Sequence, residues 1–312
     1  MTSNELATPL TITDLRGSPG RRRRETVIRF AFLIAASMAI VISALIVLTL
    51  VGQAIFFITR VDLASVFGLA WRPRADDFGI IPIVTGTFII AGLAMIVAAP
   101  LGLGAAVYLA EYATPRVRGA VKPILEVLAA VPSVVLGFFA LTVLSPTLID
   151  PICAGSTPLF NMAAAGLAVG ILITPLIASI AEDAMYAVPG SLREASYGLG
   201  ARKRVTSLRV VFPAAVSGIV AALIVGFSRA LGETMIVSIV AGGVGGASFT
   251  VNPCLPGQTM TAAMTSLAVG SDQAGGGVVT ASLFFVGLLL FVLTLGLNLL
   301  SERFVRRIRA AY

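Results

Sequence analysis

The chain has 312 residues, of which 57% are hydrophobic and 12% charged, whereas a soluble domain carries roughly a quarter charged residues. That balance excludes an ordinary soluble globular protein and points to an all-α, polytopic membrane protein. The net charge is +7, with two Cys and no His; the commonest general base and metal ligand is lacking and two Cys alone cannot make a structural zinc site, so no catalytic residue and no metal are expected.

Residues 1–25 carry no motif and read as a disordered, basic tail. The first apolar run, about 27 to 58, predicts a transmembrane helix within 26–60; it is too long, and too poor in a small-residue cleavage site, for a removable signal peptide. Further runs at about 80 to 110, 124 to 148, 159 to 181, 210 to 241 and 278 to 300 each reach the roughly 20 residues needed to cross a bilayer. Six transmembrane helices are therefore expected, five of them in a domain over 78–302, followed by a short tail over 303–312. Lys and Arg gather before the first helix (Arg21, Arg22, Arg23, Arg24), after the second (Arg116, Arg118, Lys122), after the fourth (Arg193 to Arg209) and after the sixth (Arg303 to Arg309). The opposite side holds only Arg60, Arg72 and Arg74, so the positive-inside rule places both termini in the cytoplasm and the chain in the cytoplasmic membrane. The basic charge then reports topology and contact with anionic lipid, with no nucleic-acid partner.

Polar residues inside the runs are candidate sites. Thr85 and Thr87 flank Gly86 in the second run, and Pro132-Ser133 interrupts the third. Such hydroxyls usually bond their own backbone or a neighbouring helix, and Thr85, Thr87 and Ser133 are kept as candidate pore-lining residues. Glu126 after Lys122, and Glu182 and Asp183 at the end of the fourth run, read as simple pairing or solvation. Arg229 and Glu233 fall inside the fifth run, where an ionisable residue needs a partner or a cavity. Spaced i, i+4, they are expected to share a helical face and to pair. Arg229 offers a planar fork for two oxyanion oxygens, and the Glu233 carboxylate can accept a hydrogen bond from a protonated one, so both are expected to bind substrate. The structural alternative is an ion pair that locks the helix to a neighbour. Cys153 and Cys254 both fall in loops expected outside, where a disulfide between them would close a long loop and pin the third and fifth helices together.

The loop after the fourth helix, about 189–204, reads PGSLREASYGLGARKR and continues VTSLRVVFP. Pro189 can start a short helix, Ser191 can cap it with Glu194 three positions on, and Gly200 can end it in a left-handed conformation. Glu194-Ala195-Ser196, three residues, Gly200, nine residues, then Val210 and Phe212-Pro213 resembles the EAA loop of ABC importer permeases, departing by Ser196 for Ala, Val210 for Ile and Phe212 for Leu. The stretches FGIIPIVTGTFIIAGLAMIVAAPLGLGAAVYLAEY, LEVLAAVPSVVLGFFALTVLSP, SRALGETMIVSIVAGG and NPCLPGQTMTAAM are similar to the PstC-type permeases of phosphate ABC importers.

The resemblance implies a type I ABC importer permease fold and phosphate as the substrate. It implies a PstA-like permease as heterodimeric partner, two copies of a cytoplasmic ATPase docked through Glu194, Ala195, Ser196 and Gly200, and an extracytoplasmic phosphate-binding protein. ATP and Mg would belong to the ATPase, since this chain has no Gly-rich phosphate loop and is expected to be no enzyme and to hold no cofactor. A permease for another oxyanion, molybdate or sulfate, and a membrane assembly subunit that passes no substrate are the alternatives.

Overall fold

The computed structural model describes residues 19–153, 155, 157–243, 246–268 and 277–310; most of the expected N-terminal tail lies outside them. Residues 1–50 and 51–312 are two separate units. In the first, helix α1 (Pro19–Ile58) begins inside the expected tail and carries an apolar stretch long enough to cross a bilayer. Its last turns belong to the second unit, where Phe57 is fully buried with its ring edge-on to Phe78 and stacked on Phe285.

Five runs are long and apolar enough to span a membrane: Arg23–Ile58, Ile81–Tyr112, Ser133–Ile152, Met162–Tyr186 and Val278–Leu300. A sixth is a pair, Lys203–Ala214 and Val216–Leu231, bent by 71°. With the bent pair taken as one span the described residues give the six expected, and otherwise five; two boundaries differ. The expected third helix starts too early: α4 (Pro115–Ala129) is a separate amphipathic helix with no buried residue, and the span resumes at α5 (Ser133–Phe139). Pro132, extended at φ −58 and ψ 125, marks that interruption and occupies the cap position of α5, where a missing N–H costs no helical hydrogen bond. The expected fifth helix is three pieces, which bears directly on the site below.

The core forms where α3 (Ile81–Val107) packs on α7 (Met162–Tyr186). Ala91, Ala94 and Ala98 of α3 and Ala164, Ala165 and Ala168 of α7 are fully buried or nearly so. Lipid is as apolar as Leu, so close backbone approach between small residues, and not exclusion of water, favours such a seam. A Cβ on Gly170 would stand 2.9 Å from the Ala94 carbonyl oxygen. At the start of α7, Asn161 accepts from Ala164 N at 2.8 Å and donates to Ser145 Oγ at 2.8 Å, tying this helix to the π-helical stretch Ala140–Ile149.

A small sheet, not expected from the sequence, sits at the end where α3 begins. Strands β1 (Ala70–Arg72), β2 (Asp77–Phe78) and β3 (Ala247–Ser248) pair antiparallel in the order β2-β1-β3, with Trp71 opposite both Phe78 and Ala247. Trp71 is 1% exposed and packs with Ile83, Met260, Ala263 and Val286. The same end holds a disulfide between Cys153, after α6 (Asp150–Ile152), and Cys254, with Cα atoms 6.0 Å apart across 101 residues of sequence. The opposite end gathers α4 and the 189–204 loop and is strongly basic.

Candidate functional site

The fifth run begins as α9 (Lys203–Thr206), a π turn over Ser207–Val211 and α10 (Phe212–Ala214), bends, and continues as α11 (Val216–Leu231). It then breaks again: Gly232 to Thr234 leave helical geometry before α12 (Met235–Val240). This overturns the expectation that Arg229 and Glu233 share one helical face and pair. Arg229 ends α11 on an exposed surface, whereas Glu233 is 6% exposed, and no ion pair joins them among the described residues. The reason is local: Glu233 N reaches back only three residues, to Ala230 O at 3.3 Å, so the chain tightens and turns the carboxylate inward. There Glu233 Oε1 faces the free N–H groups opening α12 and accepts from Ile236 N at 3.4 Å.

A polar strip from another part of the chain backs this break. Gln258, Thr259 and Thr261, at and just before the start of α13 (Met260–Ala268), are all buried. Thr261 Oγ1 donates to the Glu233 carbonyl at 2.8 Å and shares a hydrogen bond with Thr259 Oγ1 at 2.9 Å. Thr87, also buried, donates to Ile83 O at 2.6 Å and accepts from Met260 N at 3.0 Å. Thr87 is therefore brought to the strip that holds Glu233, with its hydroxyl already engaged. Thr85 and Ser133 are half-buried, and no described contact joins either to Arg229 or Glu233. One residue before Arg229, Ser228 donates to Asn298 of α14 (Val278–Ala310) at 3.1 Å. Sequence reasoning missed the strip and Asn298, since their roles depend on chain segments meeting across the fold.

At the basic end the 189–204 loop folds as α8 (Gly190–Gly198). Pro189, extended at ψ 136, occupies the cap position with no side-chain cap, so Ser191 lies inside the helix and does not cap it. Gly200 has φ +76 and terminates the helix: its N–H reaches Tyr197 O at 2.9 Å and Ala201 N reaches Ser196 O at 3.1 Å, the paired bonds of a Schellman motif. Glu194 and Ala195 are exposed, and half-buried Ser196 shares a hydrogen bond with Thr206 of α9 at 2.9 Å.

Two ion clusters brace this end. Glu182, with no exposed surface, lies 2.5 Å from Arg118 Nη2 and 2.8 Å from Lys122 Nζ, and Lys122 also bonds Asp183. The Arg118 guanidinium covers the Tyr186 ring at 3.6 Å. Partial burial pulls the Lys122 pKa down, but its hydrogen bonds to Asp183 and Glu182, with their negative charge, outweigh that and raise it above 10.5. The second cluster joins Arg193 of α8 to Glu111 in the π turn Tyr108–Tyr112 that ends the α3 span. Among the described residues no group of His, Cys, Asp and Glu could hold a metal ion.

The fold that carries this broken span and the exposed α8 is shared with solved ABC transporter structures. The chain matches solved structures of a bacterial ABC transporter involved in import of the acidic polysaccharide alginate, with TM-score 0.63 and 15% identity over 92% of this chain and 99% of that one. It also matches the MetNI methionine ABC transporter in an inward-facing conformation, with TM-score 0.52 and 19% identity over 74% and 94%. Residues 98–310 match the family described as binding-protein-dependent transport system inner membrane component, and the chain belongs to that family. Similar relatives include the probable ABC transporter permease protein YqgH of Bacillus subtilis, 33% identical over 84% of this chain and 82% of that protein. The phosphate transport system permease protein PstC of Mesorhizobium japonicum is 31% identical over 92% and 94%.

Proposed function

We propose that the chain is the PstC-like permease subunit of an ATP-driven importer that moves inorganic phosphate across the cytoplasmic membrane. The observation that carries the ATP-driven part is α8: nine residues fixed at both ends and presenting Glu194 and Ala195 to solvent. An isolated helix of this length is marginal in water, and a partner ATPase with its ATP and Mg would cover it. Likeness to named phosphate permeases over nearly the whole chain supports the substrate. The basic end then faces the cytoplasm with both termini, and the disulfide faces outward. A PstA-like permease would complete the path, two ATPase copies would dock below, and an extracytoplasmic phosphate-binding protein would deliver the anion.

Arg229, exposed on this chain alone, would face that path and offer its fork to two phosphate oxygens, while Glu233 at the break would select a protonated oxyanion. In a strain lacking the gene, the intact protein is expected to restore uptake of labelled phosphate, with excess sulfate and molybdate failing to compete. Arg229→Gln should lower uptake by roughly 10- to 100-fold, the worth of one charge-assisted hydrogen bond set, while the complex still assembles. Competition by molybdate or sulfate would favour the other-oxyanion reading. Assembly with normal uptake in the variant would remove Arg229 from the site.

A further inference from the structure

Of the nine residues of α8, only Arg193 and Ser196 turn back toward the protein, three positions apart on one face. Arg193 uses its whole guanidinium there. Nε and Nη2 donate to Glu111 Oε1 at 3.1 and 2.9 Å, Nη1 donates to Val188 O at 2.6 Å, and Nη2 also donates to Met185 O at 2.8 Å. The two carbonyls belong to the C-terminal end of α7 and the residues just after it, where helix carbonyls lack partners within the helix. The second Glu111 oxygen lies 3.3 Å from Ser207 Oγ, in the π turn leading into the bent fifth span, and shares that hydroxyl's single proton with Lys203 O at 2.9 Å. The Glu111 side chain is 3% exposed and that of Arg193 19%, so water does not compete freely for these bonds.

This ion pair, with the Ser196 to Thr206 hydrogen bond at 2.9 Å beside it, therefore ties α8 to the ends of three spans. We propose that Arg193 and Glu111 are the positioning residues that carry movement of α8 into α3, α7 and the bent span together. The joint rests on the reading of α8 as the ATPase-docking helix and adds where its motion goes. Lys at position 193 would keep the charge but lose the flat fork that reaches a carboxylate and two carbonyls at once.

The test uses the complete importer in proteoliposomes and measures three things: ATPase copurification, ATP hydrolysis, and phosphate accumulated per ATP hydrolysed. Arg193→Met and Glu111→Gln are expected to retain the ATPase and hydrolyse ATP while phosphate moved per ATP falls by about fivefold or more, the low end of ordinary coupling between sites. Arg193→Lys should fall between these and the unmodified protein. Glu111→Gln preserves volume, so it remains informative if Arg193→Met fails to accumulate. An unchanged ratio in the variants, or loss of the permease from the membrane in both, overturns the joint. Unmodified proteoliposomes that hydrolyse ATP without accumulating phosphate would instead sink the functional reading.

Discussion

Glu182 closes α7 with no exposed surface, and its two cationic neighbours both come from α4, a helix with no buried residue of its own. These contacts hold α4 against the helix bundle. Arg118 lies close to Glu182 without hydrogen-bond alignment, which leaves Lys122 as the directional bond to that carboxylate. Because the Lys122 pKa is raised on folding, its contribution is complete below pH 10.5 and is lost as pH rises through the higher folded value. The protein in detergent should therefore show no loss from this group between about pH 7 and 10. Lys122→Met is expected to cost roughly 1–3 kcal/mol at pH 7 and to remove the part of the alkaline loss that Lys122 supplies, both read from unfolding against pH. An unaltered alkaline limb in the variant would show that the Lys122 bonds to Glu182 and Asp183 contribute little.

Elements differ in how far their own residues specify them. Gly200 was legible because a left-handed residue ending a helix is a local demand that glycine meets, and φ +76 meets it. A Cβ there would touch nothing within 4 Å, so the cost of Gly200→Val is conformational and not steric. That variant should destabilise the end of α8 by about 1–2 kcal/mol and reduce ATPase copurification several-fold, with membrane levels of the permease unchanged. Normal copurification would mean that the end of α8 is not part of the docking surface. The interruption at Pro132 was legible for the same kind of reason. The break at Gly232 to Thr234 was not: an i, i+4 spacing carries no sign that the helix unwinds between its members. What favours the break is remote, the Thr261 hydroxyl on the Glu233 carbonyl 28 residues upstream and Ala262 in the same core cluster as Leu231 and Ile236. Ser191 failed as a cap because Pro189 had already fixed where the helix begins.

On the scale of the whole molecule, hydropathy accounts for five spans, six with the bent pair, while the sheet around Trp71 and the Gln258 to Thr261 strip came only from three-dimensional packing. The α3–α7 seam has a consequence for how this lineage can drift. A chain 31% identical to a relative over 92% of its length has changed most of its side chains while keeping a common pattern. Such drift needs positions where an added methyl group can be accommodated, and the surroundings of α3 differ in this respect between the α7 seam, the segment before α13 and its open face. At Gly86 a Cβ would stand 2.4 Å from the Gln258 carbonyl oxygen, and at Gly170 2.9 Å from that of Ala94. Backbone cannot step aside without moving a helix, whereas a Cβ on Gly104 of α3 would meet nothing within 4 Å. A saturation library selected for growth on limiting phosphate should therefore lose even alanine at Gly86 and Gly170 and retain it at Gly104. Equal depletion at all three positions would show that backbone proximity does not decide what is tolerated, and equal retention that the helices themselves yield.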